Sequence, residues 1–165
     1  MLFTPVARRL AWCALALIVP HAQALEAGQP APALTLPAVG GAALSVPDAH
    51  AKLTYIDFWA SWCGPCRQSF PWLNQMQARY GAKGLRVVGV NLDAKTADAE
   101  RFLKEVPARF EIAFDPKGAS GHAYGLKGMP SAVLLGADGR VIEMHQGFRS
   151  GDADALETLI KNHLQ

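Results

Sequence analysis

The sequence predicts an α/β fold in which a central mixed β-sheet is sandwiched between helices, and three observations carry that reading. Leu53–Trp59 and Leu85–Leu92 are near-continuous apolar runs, the pattern of strands covered on both faces. Between them, from about Gly64 to Tyr80, apolar residues recur at helical spacing, so the two strands are joined as a βαβ unit. Ser131–Leu135 and Val141–Gln146 then flank Asp138-Gly139, a two-residue hairpin signal. With 165 residues the chain is long enough for one domain with a sizeable core.

The first residues read as a leader. Arg8 and Arg9 precede the apolar run Leu10–Val19, which is too short to span a bilayer comfortably. Pro20 ends it, and Ala22-Gln23-Ala24 supplies the small residues of a cleavage site. Residues 1–24 are therefore expected to be a secretory signal peptide and residues 25–165 the folded domain; the alternative is an uncleaved anchor. Cys13 falls inside the leader, and Trp12 before it does not suit a lipoprotein cleavage site. Two of the 16 basic side chains, Arg8 and Arg9, leave with the leader, so the domain balances 14 basic against 14 acidic groups. Such neutrality recommends neither nucleic acid nor an anionic membrane surface as a partner.

Taken in order, Leu25–Pro47 is rich in Ala, Gly and Pro with a turn at Gly40-Gly41, and predicts a short irregular hairpin. The helix after the first strand buries Phe70, Leu73, Met76 and Tyr80, is expected to kink at Pro71, and stops at Gly81 and Gly84. Thr96 is expected to cap a helix reaching Val106, with Phe102, Leu103 and Val106 inward. Phe110, Ile112 and Phe114 alternate as a short strand before Asp115-Pro116, and a small helix from Lys117 to Tyr124 stops at Gly125. Gly147 marks a bulge or a close approach, and Leu156, Leu159, Ile160 and Leu164 form one face of a last helix.

Chemistry concentrates where the first strand meets its helix, at Trp62-Cys63-Gly64-Pro65-Cys66. Cys63 is placed at the helix N-terminus, where free N–H groups and the macrodipole stabilise a thiolate. Cys66 lies one turn on along the same face, close enough to close a disulfide with Cys63. Pro65 suits the first turn because the N–H it lacks would be unpaired there. Such a dithiol can attack a partner's disulfide with one sulfur and be resolved by the other. Structural zinc needs about four ligands; the domain has no third cysteine, and His50, His122, His145 and His163 lack ligand spacing. A purely structural disulfide would close too short a loop to constrain the unfolded chain.

The run Asp57-Phe58-Trp59-Ala60-Ser61-Trp62-Cys63-Gly64-Pro65-Cys66 resembles the active site of the thioredoxin superfamily. The chain as a whole resembles its exported, TlpA-type thiol–disulfide reductases over roughly residues 26 to 165. Pro71 in the helix and Met129-Pro130 before the hairpin support the match. The resemblance implies a thioredoxin-like fold with an N-terminal extension and a central insertion, and a cis bond before Pro130 in a loop that pairs with substrate. It implies Cys63 as nucleophile, Cys66 as resolving thiol and Gly64-Pro65 as the spacer of reducing members. Asp57, an acid in an apolar strand, becomes the proton acceptor for Cys66. Met129 and Trp62 become substrate contacts, whereas Trp59 is assigned to the core. The superfamily's lysine on the neighbouring strand is replaced by Gly89.

The function so implied is reduction of disulfides in client proteins in the bacterial periplasm, by a monomer that needs neither cofactor nor metal. A membrane thiol reductase would supply electrons. Clients could be apocytochrome c, a copper-site protein or misoxidised exported proteins. Two alternatives are a thiol-based copper carrier, which would want more ligands than this chain displays, and a disulfide oxidase.

Overall fold

The computed structural model describes residues 25–165. The leader, Cys13 and the expected cleavage point lie outside the described residues. The elements run β1 (Leu34–Pro37), β2 (Ala43–Val46), β3 (Leu53–Trp59), α1 (Cys66–Tyr80), β4 (Leu85–Asn91), α2 (Thr96–Glu105), β5 (Glu111–Phe114), α3 (Ala119–Ala123), β6 (Ser131–Gly136), β7 (Val141–Gln146) and α4 (Ala153–His163). Five strands form one mixed sheet in the order β5-β4-β3-β6-β7, while β1 and β2 pair separately. β3 is central, parallel to β4 and antiparallel to β6. All seven of its residues are buried, as its near-continuous apolar run predicts, Thr54 and Asp57 included.

Side-chain alternation along β3 divides the core into two layers. Leu53, Tyr55 and Trp59 share one face with Phe70, Leu73 and Met76 of α1, Phe102 of α2 and Leu156 and Ile160 of α4. Ile56 and Phe58 face the other way, against Leu34, Leu44 and Val46 of the N-terminal hairpin and Tyr124 after α3. The Tyr124 hydroxyl donates to the Pro32 carbonyl at 2.7 Å, tying the extension to this second layer. The N-terminal extension thus covers sheet surface that would otherwise be wet. Between β4 and the Met129-Pro130 loop lie α2, β5 and α3, of which β5 widens the sheet at the β4 edge.

Several expected boundaries move, each for a local reason. The N-terminal hairpin is a regular four-pair antiparallel ladder, with Gly40 and Gly41 both at positive φ in its turn. α1 begins at Cys66, not Gly64, and runs through Pro71 as one helix. Thr96 does not cap α2: it is the first helical residue, Lys95 ahead of it is extended, and no side chain caps the end. Asp98 N–H already reaches the Lys95 carbonyl at 3.0 Å, so the first turn closes one residue early. β5 starts at Glu111 because pairing to β4 starts there, and Phe110 packs on Phe70 from outside the strand. α3 is shorter than Lys117–Tyr124, since Gly118 takes a left-handed conformation (φ +65°) and Asp115 closes a turn on Gly118 and Ser120. The β6–β7 loop is not a two-residue turn. Gly136 N–H bonds Arg140 across Ala137-Asp138-Gly139, with Gly139 left-handed at φ +73°.

Candidate active site

The chain leaves β3 at Trp59 and needs six residues to turn into α1. Cys63 N–H donates to Ala60 O at 3.1 Å and Cys66 N–H to Cys63 O at 3.2 Å, so consecutive turns lead into the helix. Pro65 occupies the capping position, and Cys63 stands one turn ahead of the first helical residue instead of on it. The two sulfurs form a disulfide with S–S 2.02 Å and Cα–Cα 5.4 Å. Cys66 is fully buried and Cys63 retains 4% exposure, so Cys63 is the outer sulfur. Nothing lies within 4 Å of a side chain placed at Gly64, leaving the outer surface of the turn open.

Trp62, beside Cys63, is 70% exposed. Trp59 is wholly buried between Phe70 and Phe102, in the core as expected. Met129 packs on the same apolar cluster as the two cysteines, and the Met129–Pro130 bond is cis. Val46–Pro47 is a second cis bond, with no counterpart in the sequence expectations. Gly147 donates its N–H to Pro130 O at 2.8 Å, but nothing lies within 4 Å of a side chain placed there; its positive φ of 84°, not a close approach, is what calls for glycine. A groove of about 360 Å³ lined by Leu92, His122, Lys127, Gly128 and Met129 adjoins this loop. A cavity of about 610 Å³ beneath the β1–β2 turn contains none of the predicted site residues.

Asp57 lies on the α1 side of β3, sharing alternation with Tyr55 and Trp59. It is 2% exposed, and its Oδ2 has no hydrogen-bond partner in the protein. Burial without a compensating cation pushes its carboxyl up to about 8. Burial also raises the Tyr55 hydroxyl well above its ordinary value, with the negative charges of Asp57 and Asp152 adding to it. A side chain at Gly89 would meet Ile112 at 2.8 Å, Phe110 at 3.0 Å and Trp59 at 3.1 Å. The place of the superfamily lysine is therefore filled by uncharged groups, two apolar side chains and the indole nitrogen of Trp59.

Two residues of this region escaped the sequence reading. Ser61 and Asp93 are hydrogen-bonded to each other, fastening the loop before Cys63 to the end of β4. The signal was an Asn-x-Asp sequence at the close of a buried apolar run, where an acid needs a local donor to be tolerated.

Comparison with known proteins agrees with this geometry. The family model described as Redoxin matches residues 26–160. Thiol-disulfide oxidoreductase ResA of Bacillus thuringiensis subsp. konkukian (strain 97-27) is 27% identical over 137 residues, covering 83% of this chain and 78% of that protein. The crystal structure of a putative thiol:disulfide interchange protein DsbE from Chlorobium tepidum superposes with a TM-score of 0.83 at 54% identity, covering 86% of this chain and 100% of that one. A putative thioredoxin from Neisseria meningitidis gives a TM-score of 0.70 at 27% identity, with 81% and 88% coverage. With a thioredoxin-like sheet, a disulfide closed across Cys-Gly-Pro-Cys and a family match over most of its length, the chain belongs to the Redoxin family and is a thioredoxin-superfamily thiol–disulfide oxidoreductase.

Proposed function

We propose that the protein reduces disulfides in exported client proteins, with Cys63 attacking and Cys66 resolving. The observation that carries this reading is the asymmetry of the pair: the outer sulfur sits beside an exposed tryptophan and the inner one is sealed in the core. The Cys63 thiolate attacks one sulfur of the client disulfide, forming a mixed disulfide and releasing the client's other sulfur, which takes up a proton. Cys66 loses its proton to Asp57 and attacks Cys63, so the client leaves as a dithiol and Cys63–Cys66 is oxidised. Trp62, Met129 and Pro130 are assigned to client docking, with the adjoining groove extending that surface.

The direction follows from the spacer. Gly64 and Pro65 bring no charge or side-chain donor to the Cys63 thiolate, so the reduced form gains little extra stability and the couple stays reducing. Residues 1–24 are assigned to a cleaved leader and the working compartment to the bacterial periplasm, with a membrane thiol reductase recharging the dithiol. Clients in cytochrome c maturation or copper-site assembly fit this placement. Equilibration with glutathione buffers tests the direction. The expected potential lies nearer about −270 mV than about −120 mV, the reference values of thioredoxin and a strong oxidase. A value above about −150 mV would make the protein an oxidase instead.

A further inference from the structure

The loop that delivers Cys63 is held by a buried anion. Asp93, 5% exposed and just beyond β4, accepts hydrogen bonds from Ser61 N–H at 2.8 Å, the Ser61 hydroxyl at 2.9 Å and the Asn91 side-chain amide at 2.8 Å. Its own N–H donates to the Asn91 side-chain oxygen at 3.1 Å, and Asn91 is fully buried. All three donors to the carboxylate are neutral, and no salt bridge reaches Asp93 among the described residues. Its negative charge is solvated by dipoles and is not cancelled. Ser61 is two residues from Cys63, so the charge is fixed at the base of the nucleophile's own turn. In a low-dielectric interior such a charge acts further than it would in water.

We propose that Asp93 is a positioning residue that also opposes formation of the Cys63 thiolate, and thereby keeps the dithiol a strong reductant. A structural tether would need only the hydrogen bonds, which a serine or an amide could share. The carboxylate adds repulsion between two negative charges, present only when the pair is reduced and Cys63 is ionised. The proposal rests on the reading of Cys63 as the sulfur that carries the thiolate. It identifies a contribution to the redox poise that lies outside the Cys-Gly-Pro-Cys spacer and is separate from Asp57.

The test is the exchange equilibrium in which two glutathione thiols reduce the Cys63–Cys66 disulfide. That S–S bond breaks, the protein gains two thiols, and one glutathione disulfide forms. At pH 8, Asp93→Asn keeps the size and part of the hydrogen bonding but removes the charge, and is expected to favour the reduced protein by about fivefold, a shift of about 20 mV toward oxidising values. Ser61→Ala removes one hydrogen bond but keeps the charge, and is expected to stay within about twofold of wild type, a tolerance of about 10 mV. An unchanged equilibrium in Asp93→Asn, or an equal shift in Ser61→Ala, overturns the proposal. Should Asp93→Asn fail to fold, Ser61→Lys supplies a cation against the intact carboxylate and must shift the equilibrium the same way; no shift there also overturns it. The wild-type potential judges the reductase reading and the variant-to-wild-type ratio judges Asp93, so the two can fail separately.

Discussion

Asp57 stands directly opposite Gly89 across the parallel β3–β4 pair, and the volume above Gly89 is taken by Ile112, Phe110 and Trp59. The carboxyl accordingly has an uncharged wall where the superfamily pattern has an ammonium group. On its other side Asp57 pairs with Ala132, again without a charge. Desolvation thus acts on it unopposed, and the same missing partner that makes Asp57 costly to bury raises its carboxyl to about 8, a value suited to the proton-acceptor role proposed for it.

Resolution of the mixed disulfide should follow the ionisation of Asp57. Its carboxyl titrates at about 8, so the base form grows as pH rises through that value. The rate at which Cys66 releases a bound client is expected to climb between pH 7 and 9. In Asp57→Asn that limb disappears and the rate near neutrality falls by roughly a hundredfold, the low end of the usual scale of general-base assistance, because only a minority of Asp57 is ionised there. Stopped-flow release from a preformed mixed disulfide measures it, and an unchanged profile would reduce Asp57 to a structural acid.

Stability should carry the opposite sign. In the unfolded chain Asp57 titrates near 3.8, and in the folded protein at about 8. Between these values the folded state keeps a proton that the unfolded state has lost, so stability falls as pH rises from 4 to 8 and levels off above. The cost reaches about 4 kcal/mol at pH 7 for this single group. Denaturant titrations of the oxidised protein should show the decline. Asp57→Asn should flatten it and be more stable than wild type at pH 8 but not at pH 4.

Restoring the lysine at Gly89 should not help. A Cβ there already approaches Ile112 within 2.8 Å, and the remaining methylenes and charge would enter a packed apolar layer. Gly89→Ala is expected to lose about 1–3 kcal/mol by overpacking, and Gly89→Lys more. Thermal melts compare them. A Gly89→Lys protein as stable as wild type would mean that this wall yields.

The sequence made the site legible because its chemistry is local. Cys63 and Cys66 lie within one turn of each other, and Asp57 is marked by being the lone acid in a buried strand. The layers of the sheet were legible for the same reason, through runs and periods that record burial. What could not be read was set by distant partners. Ser61 looks like an ordinary loop residue until Asp93, 32 positions on, is seen to bind it. Thr96 has a capping side chain, but the Lys95 carbonyl closed the turn ahead of it. Asp138-Gly139 has the composition of a two-residue turn, yet pairing of Gly136 with Arg140 sets a three-residue loop.

The two cysteines should separate cleanly by mutation, because burial separates their access. Only Cys63 retains any exposure, and the exposed Trp62 and open Gly64 lie beside it, whereas Cys66 is enclosed at the start of α1. A client sulfur can therefore reach Cys63 but not Cys66. With Cys66→Ala, Cys63 still attacks, no second thiol releases the client, and mixed disulfides accumulate. With Cys63→Ala the remaining thiol is buried, and mixed disulfides should be at least about tenfold fewer, given that exchange rate depends on access as well as on thiolate character. Non-reducing gels of each variant incubated with a disulfide-bonded substrate count the adducts. Equal trapping by the two variants would show that Cys66 is reachable, and the assignment of roles would have to be abandoned.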